Sequence, residues 1–146
     1  MERKTCFFIG SRYTTESIRK QLLKVVEKHI VEFGVTSFMV GDYGRFDHIV
    51  QSVLREIKER YTNIELYLLA PYVFIKNTET PRGFDGTFYP EGLEKTPYRL
   101  AIIQANRYMV KTSDYLIAYP GHGNSRDIVE FAQRREKKGL IKVTLV

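Results

Sequence analysis

The chain has 146 residues, 43% hydrophobic and 27% charged, with five prolines and ten glycines; this composition suits one globular domain burying roughly two-thirds of its unfolded surface and excludes a disordered chain. A single cysteine, Cys6, set in the apolar run Thr5 to Ile9, excludes an intramolecular disulfide and a cysteine zinc cluster and fits a reducing cytoplasm. The net charge of +6 favours anionic partners such as nucleotides, phosphate esters or nucleic acid, but the cations are scattered, which suits solvated surface charges better than a DNA-binding stripe.

The N-terminal Met1-Glu2-Arg3-Lys4 is charged and the apolar run after it is short, far from a signal-peptide core or a membrane span, so a cytoplasmic protein with no membrane partner is expected. Thr5 to Ile9 reads as the first strand. A helical pattern follows, with Ile18, Leu22, Val25, Val26, Ile30 and Phe33 on one face and Gly34 as its stop. Val35 to Val40 reads as the second strand. The second helix places Phe46, Ile49, Val50, Val53, Leu54 and Ile57 on one side before Tyr61.

Ile64 to Leu69 reads as a third strand stopped by Pro71, and Arg99 to Lys111 as a helix with Leu100, Ile103 and Val110 on its buried side. The stretch 71–98 holds four of the five prolines and three glycines. A connection of that length is expected to be a lid, a binding loop or an oligomer contact. Its apolar and aromatic residues Tyr72, Phe74, Phe84, Phe88 and Tyr89 make a homodimer or higher homo-oligomer the default expectation. Tyr115 to Tyr119 then reads as a strand, Ser125 to Lys138 as a helix ended by Gly139, and Leu140 to Val146 as a last strand.

Strands alternating with helices predict an α/β fold: a Rossmann-like three-layer sandwich on a five-stranded parallel sheet in the order 3-2-1-4-5, forming a single domain over 1–146 with the arm at 71–98. The chain reverses direction across the sheet between the first and fourth of these strands, and a ligand crevice is expected above their carboxyl ends.

Three loops face that edge. After the first strand, Gly10-Ser11-Arg12 leads into Thr14-Thr15-Glu16. Gly10 allows close backbone approach, Ser11 offers a hydroxyl and Arg12 a two-donor fork for phosphate or carboxylate; a plain tight turn with a surface arginine is an equal reading. After the second strand, Gly41, Gly44 and Asp47 occupy another turn at a helix start. Asp47 there serves as a capping group or, in a functional reading, bonds a ribose hydroxyl or orders the loop. After the fourth strand, Pro120-Gly121-His122-Gly123-Asn124-Ser125-Arg126 is the strongest phosphate cradle by chemistry, with Ser125 as the expected N-cap.

The three histidines, His29, His48 and His122, fall on a buried helix face, an early helix position and a loop, so no metal is expected. No Walker sequence, no G-x-G-x-x-G after the first strand and no G-x-S-x-G is present. This argues against ordinary ATP hydrolysis, standard NAD binding and an esterase elbow, and no resident cofactor is expected.

Four segments resemble the SLOG superfamily: Cys6-Phe7-Phe8-Ile9 with Gly10-Ser11-Arg12; Val40 to Asp47; Asn106-Arg107-Tyr108-Met109-Val110; and Ser113 to Tyr119. That group includes the Lonely Guy phosphoribohydrolases, the Rossmann domain of DNA-processing protein A and ligand-sensing domains of antiphage defence proteins. The resemblance spans the chain apart from the 71–98 arm. It implies a Rossmann-like sheet whose glycine-rich loops bind nucleotides or their derivatives, including cyclic ADP-ribose-like signals. The phosphoribohydrolases carry P-G-G-x-G-T-x-x-E after the corresponding strand. Here His122 replaces the second glycine and Glu130 lies two residues further along, about half a helical turn from the family's acid.

The function expected from these residues is binding of a nucleotide-derived small molecule, as a sensor or as a sponge for a cyclic ADP-ribose-type defence signal, with no catalytic residue assigned. Ser11, Arg12, Asn124 and Ser125 would hold phosphate, with Arg126 also among the ligand-binding residues, Arg107 would close over the phosphate, and Tyr13, Tyr43 or Tyr72 would stack on a base. The alternatives are a nucleoside-monophosphate phosphoribohydrolase using Asp127 or Glu130, and single-stranded DNA binding.

Overall fold

The computed structural model describes residues 3–71 and 80–146; Tyr72 and Phe74, singled out above, lie outside them. In chain order the elements are β1 (Thr5–Gly10), a single 3-10 turn (Glu16–Ile18), α1 (Arg19–Val31), β2 (Ser37–Val40), α2 (Arg45–Arg60), β3 (Glu65–Leu69), β4 (Gly86–Phe88), α3 (Tyr98–Thr112), β5 (Tyr115–Tyr119), α4 (Asn124–Glu136) and β6 (Lys142–Leu145). All strand pairings are parallel. Among the described residues no helix is long and apolar enough to cross a membrane.

The two faces of the sheet are assigned by the alternation of side chains along each strand. Cys6 and Phe8 of β1, Phe38 and Val40 of β2 and Ile117 of β5 enter one core, filled by Leu22 and Val26 of α1 and by Ile49, Val50, Val53, Leu54 and Ile57 of α2. Phe7 and Ile9, Met39, and Leu116 and Ala118 enter the other, under Ala101, Ala105, Met109 and Val110 of α3 and Ile128, Val129 and Ala132 of α4. Because β1, β2 and β5 are covered on both faces, they read as unbroken apolar runs.

The expected five-stranded order 3-2-1-4-5 is overturned: the sheet has six strands in the order β4-β3-β2-β1-β5-β6. The added strand, Gly86–Phe88, lies in the stretch expected to be an arm. Three residues with a glycine carry too little periodicity to be read as a strand, and only its partner reveals it, through the register Tyr67↔Gly86, Leu68↔Thr87 and Leu69↔Phe88. Asp85 anchors this edge, its carboxylate accepting the Leu66 N–H and pairing with Lys58. Burial works against the Asp85 charge, but those two bonds prevail and hold its pKa below the ordinary value. Phe84 and Phe88, expected as surface aromatics, pack partly buried against the two cores.

The third helix also differs in its buried side. Leu100 is half exposed, while Ala101, Ala105, Met109 and Val110 face the sheet. Small alanines let the helix approach the strands closely, so bulk alone misassigns the face.

His29 is fully buried on α1, with Nδ1 bonded to the Val25 carbonyl and Nε2 without a partner among the described residues, edge-on to Phe33 and Tyr115. Burial is the main cause lowering its pKa, and Lys142 and Lys28 add to the effect.

Candidate functional site

All six strands run the same way, so their carboxyl ends share one edge. Chain order reverses there: β1 is flanked by β2 on one side and by β5 on the other. From β1 the chain passes to α1 on one face, and from β5 to α4 on the opposite face, and the connecting loops part to leave a crevice.

Backbone bonds tie the loops together above it. Ser11 N–H donates to the Tyr119 carbonyl (3.0 Å) and Arg45 N–H to the Arg12 carbonyl (3.2 Å). Close contact explains the glycines. A Cβ on Gly10 would lie 2.1 Å from the Phe46 ring, one on Gly44 2.6 Å from Arg12 Cβ, one on Gly121 2.8 Å from Ser11, and one on Gly41 2.8 Å from the Tyr43 ring. These positions lack side chains because Phe46 of α2, Tyr43 of the same loop, or Ser11 and Arg12 of the β1 loop occupy the space.

The crevice is a cleft of about 470 Å³. The site residues expected from the sequence fall into two groups. Gly10, Ser11, Arg12, Gly41, Gly44, Asp47, Gly123, Asn124 and Ser125 all line the cleft, as do Tyr13 and Tyr43. Gly121, Arg126 and Arg107 are not among its lining residues. Gly121 packs on Ser11, and Arg126 forms an exposed ion pair with Glu130 one helical turn away (3.2 Å). The Arg107 guanidinium, expected to close over the ligand, lies 4.1 Å from the centroid of the Phe131 ring, a cation-π contact with α4.

The arginine that α3 does bring to the cleft is Arg99, with Ile102, Ile103 and Asn106 on the same face. Their spacing of three, four and seven residues is that of one helical stripe. Of these four residues only Ile103 was expected on the buried side of the helix. Asp127 and Glu130, the acids considered for hydrolysis, do not line the cleft.

The N-cap of α4 is Gly123, at φ +70, rather than the expected Ser125. Asp127 N–H closes the first turn on the Gly123 carbonyl. Helix geometry leaves the amides of Asn124, Ser125 and Arg126 without intrahelical acceptors, at the positive end of the helix dipole. The Ser125 hydroxyl accepts the Gly121 N–H (3.2 Å), holding the loop in place. Neither Arg12 nor Arg99 has a carboxylate within ion-pair distance among the described residues. This side of the cleft is therefore an electropositive surface suited to an anion.

The opposite side is different. Asp47, in the first turn of α2, accepts the Tyr43 N–H through Oδ2 (3.1 Å). Asp42 bonds His48 (2.7 Å) and Gln51, whose amide also reaches the Gly41 carbonyl. The Tyr43 hydroxyl donates to the Leu69 carbonyl, and burial raises its pKa, with the charge interaction with Tyr98 adding to the effect. Burial pushes the Asp47 carboxyl up to about 7; the Tyr43 amide opposes this, Asp42 adds to it and His48 opposes it.

Between the ordinary value of 3.8 and about 7 the folded state holds a proton that the unfolded chain has lost, so this group costs stability as pH rises through that window. Asp47→Asn is therefore expected to raise the melting temperature at pH 8 by roughly 3–6 °C, corresponding to about 1–2 kcal/mol after allowance for solvent at the cleft wall. Near pH 3.5 it should leave the melting temperature unchanged. Equal effects at the two pH values in thermal unfolding would contradict the assignment.

Among the described residues no group of three His, Cys, Asp or Glu side chains is placed to hold a metal ion.

Fold and cleft together define a Rossmann-like α/β protein with its crevice at the reversal point of a parallel sheet. The solved structure of the molybdenum cofactor binding protein from the phototrophic bacterium Rippkaea orientalis has a similar fold, with a TM-score of 0.64 at 16% identity over 99% of this chain and 77% of that one. No protein-family model matches the sequence, and no curated protein matches it.

Proposed function

We propose that the chain binds a phosphorylated, nucleotide-derived small molecule in this cleft, without transforming it. The observation that carries the reading is the convergence of three glycine-bearing loops, two arginines without carboxylate partners among the described residues and the uncapped start of α4 on a single cleft large enough for a nucleotide. In this reading Ser11, Arg12 and the first-turn amides of α4 hold the phosphate, Arg99 holds a second anionic group, and Tyr13 or Tyr43 stacks on the base.

The similar fold of a protein described as binding the molybdenum cofactor supports a small-ligand role for this architecture. The four SLOG-like segments support a nucleotide derivative, with cyclic ADP-ribose-type signals among the candidates and sequestration or sensing as the biological use. The exclusion of Asp127 and Glu130 from the cleft lining favours binding over glycosidic hydrolysis.

Incubation with AMP, NAD and cyclic ADP-ribose, followed by native mass spectrometry and chromatography, tests this. Retention of one of them unchanged is the expected result. Release of a free base and a ribose phosphate would replace binding with hydrolysis, and retention of none by the intact protein would remove the reading.

A further inference from the structure

Asp47 is the member of the cleft whose chemistry the phosphate reading leaves unexplained. It lies on the β2 side of β1, whereas the start of α4 lies on the β5 side. Two strand spacings, about 10 Å, separate those flanks, a span comparable with a phosphorylated sugar. An ionised carboxylate offers about four acceptor positions. Among the described residues one is used, by the Tyr43 amide, and no cation stands within ion-pair distance.

A carboxylate placed so costs the fold free energy that an asparagine would not, since an amide oxygen accepts the same N–H without charge. Burial that holds the carboxyl near neutrality marks the same cost. Groups kept at such a cost on a cleft wall commonly belong to ligand recognition.

We propose that Asp47 is the specificity-determining residue of the cleft, accepting hydrogen bonds from the vicinal hydroxyls of a ribose whose phosphate lies at the start of α4, on the β5 side. This deepens the binding reading above and rests on it. The cleft then takes a ribose phosphate in preference to the corresponding deoxy sugar or to inorganic phosphate.

Hydroxyl donors favour the ionised carboxylate, so the preference for the ribose grows as pH rises. The other charged and titratable groups around the cleft are Asp42, Arg45 and His48 around the start of α2, Arg12 from the β1 loop, Arg99 and Tyr98 from α3, and His122 from the β5 loop. Because other groups surround the cleft, the contribution of Asp47 is read as the difference between the wild type and Asp47→Asn.

The test is calorimetric binding of AMP, 2′,3′-dideoxy-AMP and inorganic phosphate at pH 6 and pH 8, for the wild type, Asp47→Asn and Arg12→Ala. The wild type is expected to prefer AMP over the dideoxy compound about tenfold at pH 8 and less at pH 6, as hydrogen bonds to a charged group imply. Asp47→Asn, which keeps an acceptor oxygen but loses the charge, should lose most of the preference and its dependence on pH while keeping its affinity for phosphate, an outcome that a purely loop-ordering role would not give. Equal wild-type affinities at pH 8, or a preference that survives undiminished in Asp47→Asn, overturns the proposal. If AMP binds, Arg12→Ala weakens it and no sugar preference exists, the assignment of Asp47 fails while the cleft reading stands. If none of the three compounds binds the wild type, both fail.

Discussion

Replacing Gly10 with alanine is expected to lower the stability of the protein by about 3 kcal/mol, a fall of roughly 10 °C in melting temperature. The new methyl group would lie 2.1–2.4 Å from three atoms of the Phe46 ring, and that ring is 1% exposed in the core between β1 and α2. A ring so enclosed cannot turn aside without displacing its neighbours, because the interior is packed to crystal-like density. The cost should be conditional on the ring: in a Phe46→Ala background the same substitution should cost less than about 1 kcal/mol. Denaturant unfolding of the four proteins measures this, and an equal cost in both backgrounds would show that the contact is not the cause. Gly10 also lines the cleft, so displacing Phe46 would reshape the binding site.

Removing the Arg12 side chain beyond Cβ should have the opposite profile. The residue is exposed, and its carbonyl, which holds Arg45 N–H, is unaffected by the substitution. Arg12→Ala should therefore change the melting temperature by no more than about 1–2 °C, yet weaken binding of AMP about 100-fold, the scale of a lost two-donor contact with phosphate. Arg12→Lys should recover part of that loss, because lysine supplies the charge without the planar fork. Titration calorimetry with differential scanning of the same samples separates the two effects. An unchanged affinity would move the phosphate away from the β1 loop.

Which parts were legible in the sequence follows from where the information resides. The apolar run of β1 and the stripe of α2 showed their element type directly, since burial on both faces and a 3.6-residue period leave characteristic patterns. Gly34 and Gly139 marked helix ends and both have positive φ. The cleft was anticipated because the ends of parallel strands share an edge. Arg107 and Arg99 show the limit. Both lie on α3, but one is turned onto Phe131 and the other toward the cleft. The rotation of that helix about its axis is set by Ala101 and Ala105 against the sheet.

The sequence by itself determined the alternation of strand and helix, the apolar surfaces that bury the sheet and the three glycine-bearing turns, because these depend on local conformation and on periodicity within single elements. The tertiary structure alone decided the sixth strand, the face that α3 presents and the entry of Arg99 into the cleft. Each of these depends on a partner distant in sequence: β4 exists through its hydrogen bonds to β3, and Gly10 is required through the ring of Phe46.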